Sequence, residues 1–568
     1  MLHKASLYLS IALAGSLVLS SCSKLGDLSA DNFTVTPSPL EAVSGQVPVT
    51  INGRFPEKYM KKKAVVTVIP VLRYQGGEAK GQPATFQGER VLGNNQEISY
   101  KVGGNYTMRN TFTYQPAMQQ SELYLTFDAR VGNKTVKVNP VKVANGVIAT
   151  SMLVGRTAAS SNMALGEDAY QYAIAQTQQA QIRYLINQAN IRTSELKSVS
   201  VQDFLGTLRQ IKNDQKGYQL DNIEISAYAS PEGSLQFNTQ LAEKRQNSSE
   251  GYVRGELKKV NMDADINTRY TAEDWEGFQE LVQASNIQDK DVILRVLSMY
   301  SDPEEREQQI RNLSAGFKEL ADEILPELRR ARLTINYNII GRSDDEIQAQ
   351  YKADASQLSI EEVLYAATLT DNAAEKKDIY TTATRLYPND YRAYNNLATL
   401  AIAEGNLTAT EKYLSQAAEK NANAPEINAN LALLALAKGN TSQVETYAAR
   451  ATTAETYNEV IGNLNMFTGN YAQAAQSLKG CKTNSAALAQ ILSKDYAAAA
   501  QTLANVPNQD ATTSYLKAIV AARTNNNSAV LSNLRDAFAK GASFKAMAAK
   551  DLEFAALFGD AAFQNLVR

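Results

Sequence analysis

The chain has 568 residues, 44% of them hydrophobic, and Lys plus Arg at 57 nearly cancel Asp plus Glu at 59. This length exceeds what one core supports and points to several domains, while the balanced charge offers no field for nucleic acid. The one histidine is His3 and the two cysteines are Cys22 and Cys481. That excludes a disulfide framework and, once the first residues are removed, every histidine-based catalytic pair or histidine-ligated zinc.

At the start of the chain, Lys4 precedes an uncharged apolar run from Leu7 to Leu19, and Leu19-Ser20-Ser21-Cys22 follows. The run is shorter than the roughly 20 residues that span a membrane. This pattern resembles a bacterial lipobox. The resemblance implies that the residues before Cys22 are cleaved off, that Cys22 is acylated, and that its acyl chains anchor the protein in outer-membrane lipid. Residues 1–22 are therefore the expected lipoprotein signal and residues 23–32 a polar tether. Ser23-Lys24 after the cysteine, with no Asp there, implies the outer membrane by the same resemblance, and the periplasmic face if a wall ligand is to be reached.

From residue 33 to 150 the period becomes two. Leu123, Leu125, Phe127, Ala129 and Val131 alternate with polar neighbours, as in a strand buried on one face. Val47–Ile51, Val65–Tyr74, Glu97–Val102 and Thr135–Val143 are further predicted strands, separated by turns at Gly76–Gly81, Gly103-Gly104 and Gly132-Asn133. Regular short strands of this kind predict an N-terminal antiparallel β-sandwich, with edges or bulges at Pro48, Pro70 and Pro140.

Residues 170–342 alternate strand and helix. Strands carrying Ile182, Tyr184 and Ile186, then Ile223 and Ile225, then Ile266 and Tyr270, then Leu333 and Ile335, are separated by helical stretches. The order is β-α-β-α-β-α-β, which predicts an α+β domain with helices packed on one mixed sheet. Its second strand runs into Ala229-Ser230-Pro231-Glu232-Gly233-Ser234, a tight turn followed by a helix that Ser234 can cap. On that helix Asn238, Leu241 and Arg245 share one face. Arg245 beside the N–H groups of the helix start makes a site suited to a carboxylate.

These residues resemble the peptidoglycan-binding domain of the OmpA-like family, in a variant with an Ala-Ser-Pro-Glu-Gly loop and a longer insertion before the last strand, fitted by Trp275, Phe278, Leu281, Val292, Leu294 and Val296. The family's Gly, Asn and Arg fall on Gly233, Asn238 and Arg245, and its loop aspartate is replaced by Ser230. The resemblance implies that Ser230, Glu232, Gly233, Asn238, Leu241 and Arg245 surround the diaminopimelate of a peptidoglycan stem peptide. Serine cannot pair with an ammonium as a carboxylate does, so Glu232 is the candidate to supply that charge.

Residues 343–357 are the expected linker, and residues 358–568 are helical and repetitive. Gly405-Asn406 recurs at Gly439-Asn440, 34 residues later, and loosely at Gly469-Asn470. Together with Pro388, Tyr394, Leu397 and Ala398 before the first of these, this resembles a tetratricopeptide-type solenoid of three to six repeats, which implies protein partners on the repeats. Cys481, in an alanine-rich helical stretch, is expected to be a buried small hydrophobe.

The whole reads as a non-enzymatic outer-membrane lipoprotein that tethers the membrane to peptidoglycan and scaffolds partners. The alternative is an assembly or secretion-machinery subunit whose OmpA-like domain no longer binds the wall. No cofactor or metal is implied, and no nucleophile with its base suggests an enzyme.

Overall fold

A computed structural model describes residues 25–287, 290–312 and 318–568. His3, Cys22 and the whole lipobox lie outside the described residues. Contacts divide the chain into two units, one made of the part up to Glu167 together with Thr370–Arg568, the other of Asp168–Leu369. The second unit is thus inserted into the first.

In the first unit, Phe33–Thr36, Gln46–Phe55 and Gly104–Thr113 form an antiparallel sheet. A second, larger sheet is built on Ala64–Tyr74 paired antiparallel with Ser121–Val131. Alternating residues of both, among them Val49, Ile51 and Phe55 on one and Val66, Val68, Leu123 and Phe127 on the other, fill a single core. The expectation of purely antiparallel pairing needs correction. Ala84–Gly88 pairs parallel with Gln96–Ile98, and Leu40–Glu41 pairs parallel with Val147–Ile148.

Several predicted strand bounds shift for local reasons. The strand expected at Glu97–Val102 stops at Ile98, where Ser99 and Gly103 close a turn. Thr135–Val143 divides into Lys134–Val136 and Val141–Asn145 around Pro140, which has no N–H for a ladder. The predicted turn at Gly76–Gly81 contains a short strand, Gly77–Lys80. Pro48 lies beyond the stretch of its strand that Phe33–Thr36 covers, and Pro70 falls between the two short partners of its own strand, so neither proline interrupts a ladder.

The second unit carries the predicted element order. Its sheet runs Ala173–Arg183, Arg330–Ile340, Tyr218–Tyr228, Ile266–Thr271, with only the last pair parallel. Tyr184 and Ile186, expected in the first strand, lie just past its end. Ile182, Ile223, Ile225, Leu333 and Ile335 face Phe204, Leu205 and Leu208 of Val199–Asn213 and Val253 and Leu257 of Leu235–Lys259, while Arg332, Thr334 and Asn336 alternate on the other side. The insertion before the last strand packs a small core of its own, including Phe278, Ile293, Ile310 and Leu325. Residues 343–357, expected as a linker, hold the helix Asp344–Asp354, and the second unit extends to Leu369.

The C-terminal part of the first unit is a stack of helical hairpins. Tyr391–Ala403 pairs with Leu407–Lys420, Pro425–Ala437 with Val444–Arg450, Tyr457–Phe467 with Tyr471–Ser477, Asn484–Leu492 with Tyr496–Ala504, and Ala511–Arg523 with Asn527–Lys540. Each turn places one residue at positive φ: Gly405, Gly439, Gly469, then Lys494 and Asn525. The next residue, Asn406, Asp495 or Asn526, accepts a backbone N–H of the following helix. The later turns escape a Gly-Asn search because a non-glycine takes the left-handed position, and because shortened helices such as Tyr471–Ser477 break the period.

A lysine held at φ 68° is strained by about 1 kcal/mol or more, which glycine relieves at some cost in chain entropy. Lys494→Gly is expected to stabilise the repeats by roughly 0.5–1 kcal/mol, and Asn525→Gly by less, since asparagine tolerates this region. Chemical denaturation followed by far-ultraviolet circular dichroism measures both.

Candidate functional site

The loop and helix start predicted as the ligand site are assembled in the second unit, but their side chains are engaged with one another and with main chain. Gly233 has φ +124°, a conformation that favours glycine and turns the chain into the helix. Its carbonyl accepts from Asn238 Nδ2 at 3.2 Å, and its N–H donates to Glu307 Oε1, also at 3.2 Å. Glu307 stands on Pro303–Arg311, a helix of the insertion. A carboxylate does sit at the helix start, and it belongs to this chain.

Ser230 and Glu232 close the other side. Ser230 Oγ donates to Glu232 Oε1 at 2.9 Å, and Arg329 donates to the same oxygen from Nε at 2.8 Å and approaches it with a second nitrogen at 2.6 Å. Glu232 is therefore neutralised by a largely buried guanidinium and offers no free charge for an ammonium. The space between this loop and the insertion, lined by Pro231, Glu232, Trp275 and Phe278, measures about 10 Å³. That is room for no more than a single water.

Arg245 is 1% exposed. Nε donates to the carbonyl of Gln188 at 3.0 Å, and the terminal nitrogens donate to those of Tyr228 at 2.9 Å and Leu185 at 3.2 Å. The guanidinium also lies over the Tyr184 ring, 5.1 Å from its centre. Burial, with Arg329 nearby, pushes its pKa down to about 10, so it stays charged at neutral pH. The side chain expected to grip a stem-peptide carboxylate instead joins the end of one strand to the chain after another. Leu241 packs with Ala229 and Ala242 beneath the loop. Cys481 is half-buried in the repeats, and burial raises its thiol pKa.

A second arrangement, in the first unit, was not predicted. After the sheets the chain forms a short helix, Val154–Ala159, anchored by Leu153, Val154 and Ala158 in apolar clusters of the repeats. It then runs extended along the inner helices of the hairpins. Asn430 Oδ1 accepts the N–H of Ala164 at 2.8 Å while its Nδ2 donates to the Ala164 carbonyl at 2.8 Å. Asn396 does the same for Gly166, at 2.7 and 3.0 Å. Asn395 Nδ2 adds a second donor to the Ala164 carbonyl, and Asn463 Nδ2 donates to Ser161 Oγ. The sequence holds a trace of this ladder: Asn396 and Asn430 occupy like positions 34 residues apart, the spacing of Gly405 and Gly439.

Ala164 is the one fully buried apolar side chain among residues 160–167. Ordering an extended segment costs about 1–2 kcal/mol per residue, and each neutral hydrogen bond returns about 0.5–1.5 kcal/mol. Polar bonds to main chain hold this strap together with the apolar burial of Ala164 and part of Met163.

Beside it, Asn162 Nδ2 donates to Glu459 Oε1 at 3.0 Å, and among the described residues Glu459 Oε2 has no partner. Elsewhere in this unit Arg523 holds Glu553 through two nitrogens, and Thr150 Oγ1 donates to the same carboxylate at 2.5 Å. The sheets dock on the repeats through Ser44 Oγ, which donates to the Phe467 carbonyl.

No family model matches the chain, and no curated protein matches it. Solved structures do. A tetratricopeptide repeat protein from Parabacteroides merdae is 13% identical over 41% of this chain and 93% of its own, at TM-score 0.27. PilF of Pseudomonas aeruginosa is 16% identical over 39% and 98%, at 0.24, and yeast Tom70 11% identical over 66% and 91%, at 0.24. Such scores do not establish a common overall fold, and the repeat architecture stands on the hairpins themselves.

Two outcomes follow from these contacts. Replacing Arg245 leaves the buried Tyr228 carbonyl without a donor, at about 1–3 kcal/mol, releases the carbonyls of the exposed residues Leu185 and Gln188, and empties the space of a large buried side chain. Arg245→Ala is expected to destabilise the second unit by at least about 3 kcal/mol, and Arg245→Lys by nearly as much, because an ammonium cannot reach three divergent oxygens. Trp275, the only tryptophan, lies in that unit, so its fluorescence during denaturation reads the loss.

Burial raises the Glu459 carboxyl to about 7, above its unfolded value. The folded chain then keeps a proton that the unfolded chain gives up, and stability falls as pH rises from about 4.5 through 7. Glu459→Gln is expected to remove that slope and leave the repeats on the order of 3 kcal/mol more stable than the wild type above pH 7. Denaturation curves from pH 5 to 8 measure it.

Proposed function

We propose that this chain is a non-enzymatic, lipid-anchored scaffold of the assembly or secretion-machinery kind, whose OmpA-like unit does not hold the cell wall. The spacing of Gly233, Asn238 and Arg245, with the strand and helix order around them, supports kinship with the OmpA-like family. The lipobox at Cys22 supports anchoring in outer-membrane lipid on the periplasmic face. Protein partners belong to the unit formed by the sheets and the helical hairpins.

The observation that carries this reading is the engagement of Arg245 with the carbonyls of Leu185, Gln188 and Tyr228. A tether to peptidoglycan needs that cation free for the carboxylate of diaminopimelate and a free carboxylate opposite for its ammonium. Here Ser230 replaces the family aspartate, Glu232 is paired with Arg329, and Glu307 takes the Gly233 amide. A charged pair with so little exposure is strongly destabilised when one partner is pulled away, which disfavours opening the loop for a ligand.

Sedimentation with purified peptidoglycan tests the reading. The wild-type chain is expected to stay in the supernatant. Retention that soluble diaminopimelate-bearing muropeptides compete away would restore the tether. For the anchor, Cys22→Ser is expected to move the protein from the membrane fraction to the soluble fraction, and unchanged fractionation would remove lipidation from the proposal.

A further inference from the structure

The groove of the repeats is filled by this chain's own residues 160–167, and the manner of holding defines what else would fit. Ala164 and Gly166 each offer N–H and C=O to one asparagine amide, Asn430 and Asn396. Residues two apart on an extended chain face the same way, so the pair of asparagines reads a strand without reading its side chains. Two steric conditions accompany them. Ala164 is enclosed, and a Cβ on Gly166 would stand 2.8 Å from Arg392 Cβ.

The outward positions are open. Leu165 and Glu167 are exposed, so they impose no demand on an occupant, whereas Asn162, though exposed, donates to Glu459. The two halves of the strap are also held differently. Leu153, Val154 and Ala158 sit in apolar clusters, whereas within residues 160–167 Ala164 and the half-buried Met163 join those clusters and the rest of the hold is polar bonds that a competing main chain can reproduce.

We propose that this groove is a receptor site for an extended peptide with a small residue and, two positions on, a glycine, and that residues 160–167 are its built-in occupant, displaced when a partner presents such a segment. The inference deepens the scaffold reading and rests on it only for the existence of a partner. The following experiment uses a synthetic peptide, so its failure would leave the scaffold reading intact.

A fluorescent peptide copying residues 158–169 is titrated into the full chain and into Gly166→Val, whose own strap no longer fits against Arg392. The variant is expected to bind the peptide at least tenfold more tightly than the wild type, and a peptide carrying the same Gly166→Val change is expected to lose at least tenfold in affinity for the variant. Equal binding by both proteins, or equal binding of both peptides, overturns the proposal.

Amide hydrogen exchange on the wild-type chain gives a reading that needs no substitution. The Ala164 and Gly166 amides are expected to exchange at least tenfold faster than those of Leu433 and Leu434 in the helix behind them. Equal protection would make the strap a permanent part of the core and would overturn displacement.

Discussion

The first unit depends on asparagine amides that stand in for a neighbouring strand. A primary amide carries a donor and an acceptor side by side, the same pair a backbone residue presents, so one asparagine satisfies both polar groups of one residue in an extended chain. Asn396 and Asn430 do this for Gly166 and Ala164. An extended segment running between helices would otherwise bury main-chain groups without partners. The ladder makes it possible for the link from the sheets to be laid along the hairpins at all.

The second unit solves a related problem with charge. Where a loop meets a helix start, N–H groups point outward and favour an anion. Glu307 and the Glu232–Arg329 pair supply the charges locally. Arg245, buried beneath, acts as a multi-branched donor to carbonyls from separate chain segments, a use for which its planar fork suits it better than a lysine. Together these residues brace the strand end. Ser230 fits this: its buried hydroxyl needs only the one acceptor that Glu232 provides.

The sequence made the element order of the second unit legible because its strands and helices carry strict apolar periods. Ile223 and Ile225 against Phe204 and Leu208 is a pattern that sheet and helix geometry dictate locally. The sheets of the first unit were legible in kind, but parallel pairing of Gln96–Ile98 could not be read from alternation, which is the same for either direction. Glu307 and Arg329 were out of reach because their partners come from distant segments: Gly233 and Glu307 lie 74 residues apart. The strap was missed for a different reason. Residues 160–167 have neither helical nor strand period, since what holds them is the side chains of other residues. The signal lay instead in asparagines recurring inside apolar helices, where a buried amide requires a partner.

The insertion has a consequence for how the molecule reaches this state. Ala164 and Asn430 are 266 residues apart in the chain, so the segment is made long before the helices that receive it. The inserted unit shortens that distance in space as soon as it folds, because its entry and exit meet: the Ala169 N–H donates to Glu361 at 2.7 Å, and the rings of Tyr170 and Tyr365 lie 4.6 Å apart. The stretch from Asp168 to Leu369, 369 − 168 + 1 = 202 residues, then counts as a short bridge. Closing the remaining loop costs roughly 1 kcal/mol less in chain entropy than closing the full one, by the logarithmic dependence on length. Folding of the central unit thus removes most of the loop-closure cost that its own length adds to the meeting of sheets and hairpins.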